Sequence, residues 1–270
     1  MTALQTDRPA LRHDAGLVNF YDRLASVYHL IYESWEGSVA AQGAALDALI
    51  REFGGMPGDE VLDVACGIGT QTLGLAERGY ALTASDISAG AIARARREAL
   101  KRELDVDFSV ADMRQAFEHH ASGFDAVLCA DNALPHLLTD ADILLALRQF
   151  HACLRPGGLC ILSVRDYEAM THGGTHFRPY GIRRDGTEKC VVFQVWEWRE
   201  PWYDLNLYVV QDALGESCRS EVFRATYYAI GIDALMRLMA RAGFDHVERR
   251  DDVLFQPVIV GVRPATRNGA

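Results

Sequence analysis

Between residues 61 and 164 the chain repeats one pattern: a short apolar run, a break at polar or glycine residues, then a segment with apolar side chains at three- and four-residue steps. The runs at 61–65, 81–86, 106–110, 124–130 and 159–164 have the length and content of buried strands, and the segments between them read as helices. The clearest junction is Val61-Leu62-Asp63-Val64-Ala65-Cys66-Gly67-Ile68-Gly69-Thr70, where a strand breaks into glycines just before the helix-like stretch 71–78. This alternation predicts an α/β fold with a parallel, doubly wound sheet covered on both faces.

Outside the repeat the texture changes. Residues 1–15 read as a frayed terminus, 17–32 as a helix rich in aromatic residues, and 39–53 as a second helix ended by Gly54-Gly55-Met56-Pro57-Gly58. After the fifth strand, 171–176 is turn-like. Runs at 189–199, 204–214 and 217–230 are rich in Val, Phe, Trp and Tyr, with Glu200-Pro201-Trp202-Tyr203 and Gly215-Glu216 between them. They predict three antiparallel strands joined by hairpins. A helix over 232–242, ending at Gly243, and two strands, 244–250 and 258–262, follow. The expected organisation is an N-terminal helical segment (1–54), a core (55–168), an antiparallel β insertion (169–230) and a C-terminal part that completes the core sheet (231–270).

In a sheet of this kind ligands bind outside the carboxyl ends of the strands, where the strand order reverses. Asp63, Asp86, Asp112, Asp131 and Arg165 all stand at predicted strand ends and should converge on one rim, although each could merely cap a following helix or turn. Glycines at the first junction allow a sharp turn and close approach of a ligand, and the following helix N-terminus offers unpaired N–H groups. The run Asp63-x-x-x-Gly67-x-Gly69 lacks the third glycine of a dinucleotide fingerprint, having Thr70, Gln71 and Thr72 there instead, which disfavours a nicotinamide-dependent oxidoreductase. Asp86 follows Asp63 by 23 positions, about the spacing at which a carboxylate accepts hydrogen bonds from a ribose.

The glycine junction resembles motif I of the class I S-adenosylmethionine-dependent methyltransferases, and the strand ends at Asp86-Ile87, Asp112-Met113, Asp131-Asn132 and Arg165 follow in that family's order. The resemblance implies a Rossmann-like fold with a mostly parallel seven-stranded sheet and S-adenosylmethionine as cofactor. It places Ala65, Gly67 and Gly69 under the methionine half and Asp63 near its amino group. Asp86 and Ile87 fall beside the ribose, Asp112 and Met113 beside the adenine, and Asp131 and His136 along the same wall. Tyr21-Asp22-x-Leu24-Ala25-x-x-Tyr28 resembles the N-terminal segment that closes over the cofactor in small-molecule methyltransferases. Tyr21, Tyr28 and Tyr32 are therefore either lid residues or ordinary packing of an amphipathic helix.

Cys129-Ala130-Asp131-Asn132-Ala133-Leu134-Pro135-His136 together with Arg165-Asp166-Tyr167 is similar to the glycine N-methyltransferase group. That likeness implies that Asn132 and Arg165 hold a substrate carboxylate, with His136 and Tyr167 nearby. A guanidinium suits the task, since it grips a carboxylate through two parallel hydrogen bonds. An ion pair between Arg165 and Asp166 or another rim acid is the competing reading. Asp131 departs from the glycine-specific pattern, which has a smaller residue there. Trp196 and Trp198 share one strand face, and with Trp202 they either line an aromatic acceptor pocket or belong to the core.

The expected chemistry is methyl transfer to a small molecule by direct in-line displacement, most simply onto an amine, amino-acid-like or heterocyclic nitrogen. Tyr21 and either Tyr227 or Tyr228 would orient the acceptor. O- or C-methylation with His136 as base is the alternative, and a non-catalytic cofactor-binding module is a further one.

Composition narrows the partners. The chain has 270 residues, 49% of them hydrophobic, and a formal net charge of −10, which argues against a nucleic-acid partner. The basic run Arg94-Ala95-Arg96-Arg97 reads as a solvated helix face paired with Glu98 and Glu103. The first 13 residues are polar and no apolar run reaches the roughly 18 residues of a membrane span, so a cytoplasmic protein without membrane partners is expected. Homodimer and homotetramer are both open. Six scattered cysteines without a C-x-x-C pair read as buried reduced thiols. His172 and His176 are separated by two glycines and lack a third ligand, so no metal is expected.

Overall fold

A computed structural model of the chain describes residues 9–212 and 217–265, with side chains from residue 14 onward. The elements in chain order begin with α1 (Pro9–Leu24), α2 (Trp35–Glu52), β1 (Glu60–Asp63), α3 (Thr70–Ala76), β2 (Ala81–Asp86), α4 (Ala89–Lys101) and β3 (Val106–Val110). Next come α5 (Ala116–His120), β4 (Phe124–Cys129), α6 (Asp140–Cys153) and β5 (Leu154–Ser163). The insertion is β6 (Thr175–Asp185), β7 (Glu188–Arg199), β8 (Trp202–Asp212) and β9 (Arg219–Tyr228), and α7 (Ile232–Ala242), β10 (Asp245–Arg250) and β11 (Val258–Val262) complete the fold.

The seven-stranded sheet has the order β10-β11-β5-β4-β1-β2-β3. β1 to β5 run parallel, and β11 lies antiparallel to both β5 and β10. Period-two alternation sends Leu62, Val127, Cys129, Cys160 and Leu162 to one apolar cluster, with Leu147, Phe150, Leu235 and Met239 of α6 and α7. Val61, Leu82, Leu128 and Ile161 go to the other, with Leu46, Leu49 and Ile50 of α2. The strand order reverses between β1 and β4, so the ends of these two strands flank the ligand crevice of the fold.

Two glycines set α2 directly on α3. A Cβ on Gly43 would lie 2.4 Å from the Gly74 carbonyl oxygen, and one on Gly74 2.4 Å from that of Val39. This backbone-to-backbone approach fixes the helix that starts at the glycine turn. Ser34, Ser88 and Thr139 cap α2, α4 and α6 through their hydroxyls.

The structure differs from the sequence pattern at both flanking segments. α1 begins at Pro9, inside the stretch read as frayed, and the expected helix over 17–32 stops at Leu24; a separate 3-10 turn covers Tyr28–Ile31. The break brings Tyr28 to 6.0 Å from Tyr21, ring centre to ring centre, whereas seven residues of continuous helix would separate them by about 10 Å along the axis.

The insertion has four strands rather than three. β6 includes the stretch at 175–176 that reads as turn, and it forms the edge of a separate antiparallel sheet ordered β6-β7-β8-β9. Pro179 and Gly181 conceal it. An edge strand tolerates proline because its N–H groups need no partner on one side, and the register shift between Pro179 and Gly181 absorbs a glycine at φ +106°. The connection at 213–216, including Gly215-Glu216, lies outside the described residues. The inward face of this sheet, with Val192, Trp196, Tyr203, Leu205, Leu207, Phe223 and Tyr227, packs on Phe20, Leu24 and Leu30 of the N-terminal segment and on Tyr167.

Five of the cysteines are buried and Cys218 is exposed, against the expectation of burial for all six; none of them is in a disulfide. The basic run on α4 is less solvated than its composition suggests. Glu98 is buried and accepts from Arg94, Lys101 and Arg102, which hold its carboxyl down at about 2 against the opposing effect of burial. No helix among the described residues is long and apolar enough to cross a membrane.

Candidate active site

Two clefts meet at the carboxyl ends of β1 and β4. The first spans about 760 Å³, open solvent included, and is lined by Ala65, Gly67, Asp86, Ile87, Asp112, Met113, Asp131 and His136 from the core, and by Tyr21, Tyr28 and Tyr32 from the N-terminal segment. The second, about 1570 Å³ and open to solvent, lies between the N-terminal segment and the inserted sheet; Arg165, Arg178, Tyr180, Gln194, Trp196 and Tyr227 line it. Tyr21, Tyr28, Tyr32 and Asp131 belong to both walls.

The first cleft is built on the glycine turn. Gly67 has φ +53°, and a Cβ there would stand 3.3 Å from the Tyr28 ring, so the loop and the N-terminal segment meet at a residue without a side chain. Asp86 ties the turn to α4, accepting from the N–H of Gly67 at 2.9 Å and of Ser88 at 2.9 Å. Asp86 itself stands on the cleft wall. Burial pushes the Asp86 carboxyl up, and hydrogen bonds from Ser88 and Gly67 oppose that rise. Asp112 is held by Arg114, whose guanidinium also reaches Asp14 of α1 at 2.8 Å.

Asp63 and Gly69 do not reach the cleft wall. Asp63 lies buried beneath the turn, where it accepts from Thr72 Oγ1 at 2.7 Å and from Ala65 N at 3.3 Å; burial pushes its carboxyl up to about 7. Its direction follows from the tight turn, which folds Ala65 and Thr72 back over the strand end. Gly69 is the left-handed residue that starts α3.

At the end of β4, Asp131 and Asn132 both adopt left-handed backbone, at φ +52° and +62°. Two consecutive non-glycine residues in this region store strain, which the surroundings offset. Ser163 accepts from Asn132 N at 2.9 Å and its hydroxyl from Asp131 N at 2.8 Å. The Asn132 side chain accepts from Arg165 N at 2.9 Å and contacts the Tyr167 hydroxyl at 2.8 and 3.0 Å. Asn132 and Tyr167, both expected to touch the substrate, are therefore buried braces between the β4 and β5 ends and line neither cleft.

The strained turn aims Asp131 at the junction of the clefts, where it accepts from Tyr32 Oη at 3.0 Å; burial pushes its carboxyl up, while Arg165 and Tyr32 pull it down. His136 Nε2 lies 2.6 Å from Tyr21 Oη, and the His136 ring packs 4.1 Å from that of Tyr227. Burial raises the phenol pKa values of Tyr21, Tyr28, Tyr32 and Tyr227, so all four are neutral hydroxyls at physiological pH.

Arg165 points into the second cleft. Its guanidinium donates to Tyr203 Oη at 2.8 Å and stands 5.1 Å from the Trp196 ring centre and 5.4 Å from that of Tyr227. The ion pair with Asp166 does not form, because Asp166 takes Arg249 at 2.7 Å. Trp196 lines the cleft, whereas Trp198 stacks on His172 at 4.4 Å and Trp202 donates to the Leu138 carbonyl, both outside it. Tyr228 is also turned away, donating to Asp140 at the start of α6. Among the described residues no group of three or more His, Cys, Asp or Glu could hold a metal.

The sequence pattern missed Arg178, Tyr180, Gln194 and Tyr203. The first two lie on the concealed strand β6, and Gln194 shares the inward alternation that places Trp196, the one signal available for it.

Residues 61–158 match the methyltransferase domain family model, a stretch that runs from β1 into β5 and contains the core residues that line the first cleft, from Val64 to Leu137. This stretch is a class I S-adenosylmethionine-dependent methyltransferase domain. The chain is 34% identical over 144 residues to the glycine/sarcosine N-methyltransferase of Parasynechococcus marenigrum, covering 53% of this chain and 50% of that protein. It is 30% identical over 161 residues to the glycine N-methyltransferase of Rattus norvegicus, covering 56% and 54%. The chain thus spans about half the length of the curated relatives it matches. Among solved structures, DesVI of Streptomyces venezuelae superposes with a TM-score of 0.76 at 20% identity over 89% of this chain and 98% of its own. The sugar N-methyltransferase KedS8 of a Streptoalloteichus species does so at 0.72 and 21% identity over 88% and 92%. The fold of the methyltransferase domain therefore extends with its inserted sheet across most of the described chain.

Proposed function

We propose that the protein transfers the methyl group of S-adenosylmethionine to the amine of a small, anionic, amino-acid-like acceptor. The observation that carries this reading is the shared wall. Tyr21, Tyr28, Tyr32 and Asp131 separate a cleft with the acidic, glycine-based lining of a nucleoside site from a cleft with a half-buried arginine on aromatic rings.

The first cleft fits the cofactor. The Asp86 carboxylate on the cleft wall suits a ribose diol, the strip at Asp112 and Met113 an adenine edge, and the turn at Ala65 and Gly67 a methionine backbone. The bound cofactor supplies an activated sulfonium methyl. What remains for this chain is to align the acceptor, exclude water and replace lost solvation. Arg165 orients the acceptor by its carboxylate, while Asn132 and Tyr167 hold the Arg165 backbone in place. Asp131 faces the acceptor amine at the junction, and the neutral hydroxyl of Tyr21, held by His136, offers a lone pair to an amine N–H. Closure of the N-terminal segment desolvates the amine, which favours its uncharged, nucleophilic form.

The Parasynechococcus relative is named for glycine and sarcosine and the Rattus one for glycine, and the second cleft has room for more. Production of S-adenosylhomocysteine is the direct test, with glycine, sarcosine and larger amino acids supplied in turn. Turnover that saturates with an amino acid supports the reading; turnover with phenols or none of the amines contradicts it.

A further inference from the structure

The acceptor cleft holds a second cation that the reaction above does not use. Arg178 lies on β6 opposite Gln194 of β7, on the inward face of the inserted sheet. Its guanidinium stands 4.1 Å from the Trp196 ring centre, and that of Arg165 stands 5.1 Å from the same point, so the two are at most 9.2 Å apart. Two like charges over one ring repel, and they persist at such a separation where something offsets them.

Beyond the Trp196 face, no charged group of the described residues does so for Arg178. Its Nε is buried without a hydrogen-bond partner, and among the described residues no carboxylate pairs with it. Other arginines of the same sheet are satisfied: Arg183 donates to the carbonyls of Tyr32 and Tyr180, Arg199 to Asp204 and Arg219 to Gln211. The acids lining the cleft are Asp131, engaged by Tyr32, and Glu33. Gln256 adds a buried, unpartnered side-chain oxygen to the same wall.

We propose that Arg178 is a second anion-binding position in the acceptor cleft, so that the acceptor carries a carboxylate or phosphate in addition to the carboxylate at Arg165. A planar guanidinium flattened on an indole presents its edge N–H groups to an anion and loses little rotamer freedom on binding. The inference rests on the methyl-transfer reading only in naming the second cleft as the acceptor site. It also accounts for a cleft larger than glycine requires.

The test is calorimetric titration of the S-adenosylhomocysteine-loaded protein with malonate and, separately, with inorganic phosphate, on wild type, Arg178→Gln and Arg178→Lys. Wild type is expected to bind at least one of them saturably, Arg178→Gln about tenfold or more weakly, and Arg178→Lys in between. Preference for malonate assigns a second carboxylate and preference for phosphate a phosphate ester. No binding to wild type, or equal affinity in wild type and Arg178→Gln, overturns the proposal. Arg178-dependent malonate or phosphate binding in a protein that methylates no amine overturns the reaction instead and leaves the anion position standing.

Discussion

Replacing Arg165 with methionine separates its role in binding from any role in the fold, because the two respond by very different amounts. The side chain is half-buried, has no carboxylate within ion-pairing distance among the described residues, and is held by the hydrogen bond to Tyr203, a further one to Tyr180 and the faces of Trp196 and Tyr227. Burying such a cation costs several kcal/mol, offset by about 0.5–2 kcal/mol from each aromatic face and about 1.5–3 kcal/mol from the hydrogen bond. These nearly cancel, and methionine fills similar volume, so the melting temperature should move by no more than roughly 2–4 °C. The acceptor carboxylate, in contrast, loses two charge-assisted hydrogen bonds of about 1.5–3 kcal/mol each, which raises KM on the order of 10²- to 10⁴-fold. Initial rates of S-adenosylhomocysteine formation against the concentration of the amino acid that turns over best give KM, and calorimetry gives the S-adenosylhomocysteine Kd, which should stay near wild type. A KM within about threefold of wild type, or a Kd that rises in step with it, would refute the assignment.

Three further outcomes follow from the same geometry. Burial raises the Asp63 carboxyl to about 7, above its unfolded value near 3.9, so the stability it contributes is fully present below about pH 4 and is lost as pH rises through 7. Asparagine can still accept from Ala65 and can donate to Thr72. Thermal melts of Asp63→Asn should therefore gain on wild type between pH 5 and 8, by on the order of 4 kcal/mol at most, and parallel pH profiles would sink this account. Asp22 of α1 accepts from Ser88 Oγ at 2.6 Å and Gly90 N at 2.8 Å, latching the N-terminal segment onto the first turn of α4. Its loss in Asp22→Ala removes about 1–3 kcal/mol of closure and should weaken S-adenosylhomocysteine binding by about tenfold, with an unchanged Kd as the contrary result. Gly43→Ala forces a methyl against the Gly74 backbone and should cost about 1–3 kcal/mol in denaturant unfolding; a neutral effect would show that α2 and α3 are not locked together.

The core strands and α7 were legible because buried parallel strands and amphipathic helices write their environment into the sequence at periods of two and 3.6. Ile232, Leu235, Leu238 and Met239 mark the buried stripe of α7 without ambiguity. β6 was hidden because Pro179 and Gly181 are harmless only at an edge, and edge position is a property of the whole sheet. The end of α1 at Leu24 carries no glycine or proline to announce it; packing of Phe20, Leu24 and Leu30 under the inserted sheet decides it. Residue type identified the rim, but direction did not follow from type. Asp63, Asn132 and Tyr167 stand where the pattern put them, yet they turn to backbone and neighbouring hydroxyls. Tyr32 meets Asp131 across 99 positions of chain, a contact that no local pattern records.

The account depends first on the nucleoside cleft, and calorimetric titration of the protein with S-adenosylhomocysteine, with NADH in parallel and both repeated on Asp86→Ala, tests it most directly. One saturable site for S-adenosylhomocysteine, weakened by the substitution, with no heat from NADH, is the expected result. Binding of NADH without S-adenosylhomocysteine would contradict the reading of the first cleft and every assignment built on it.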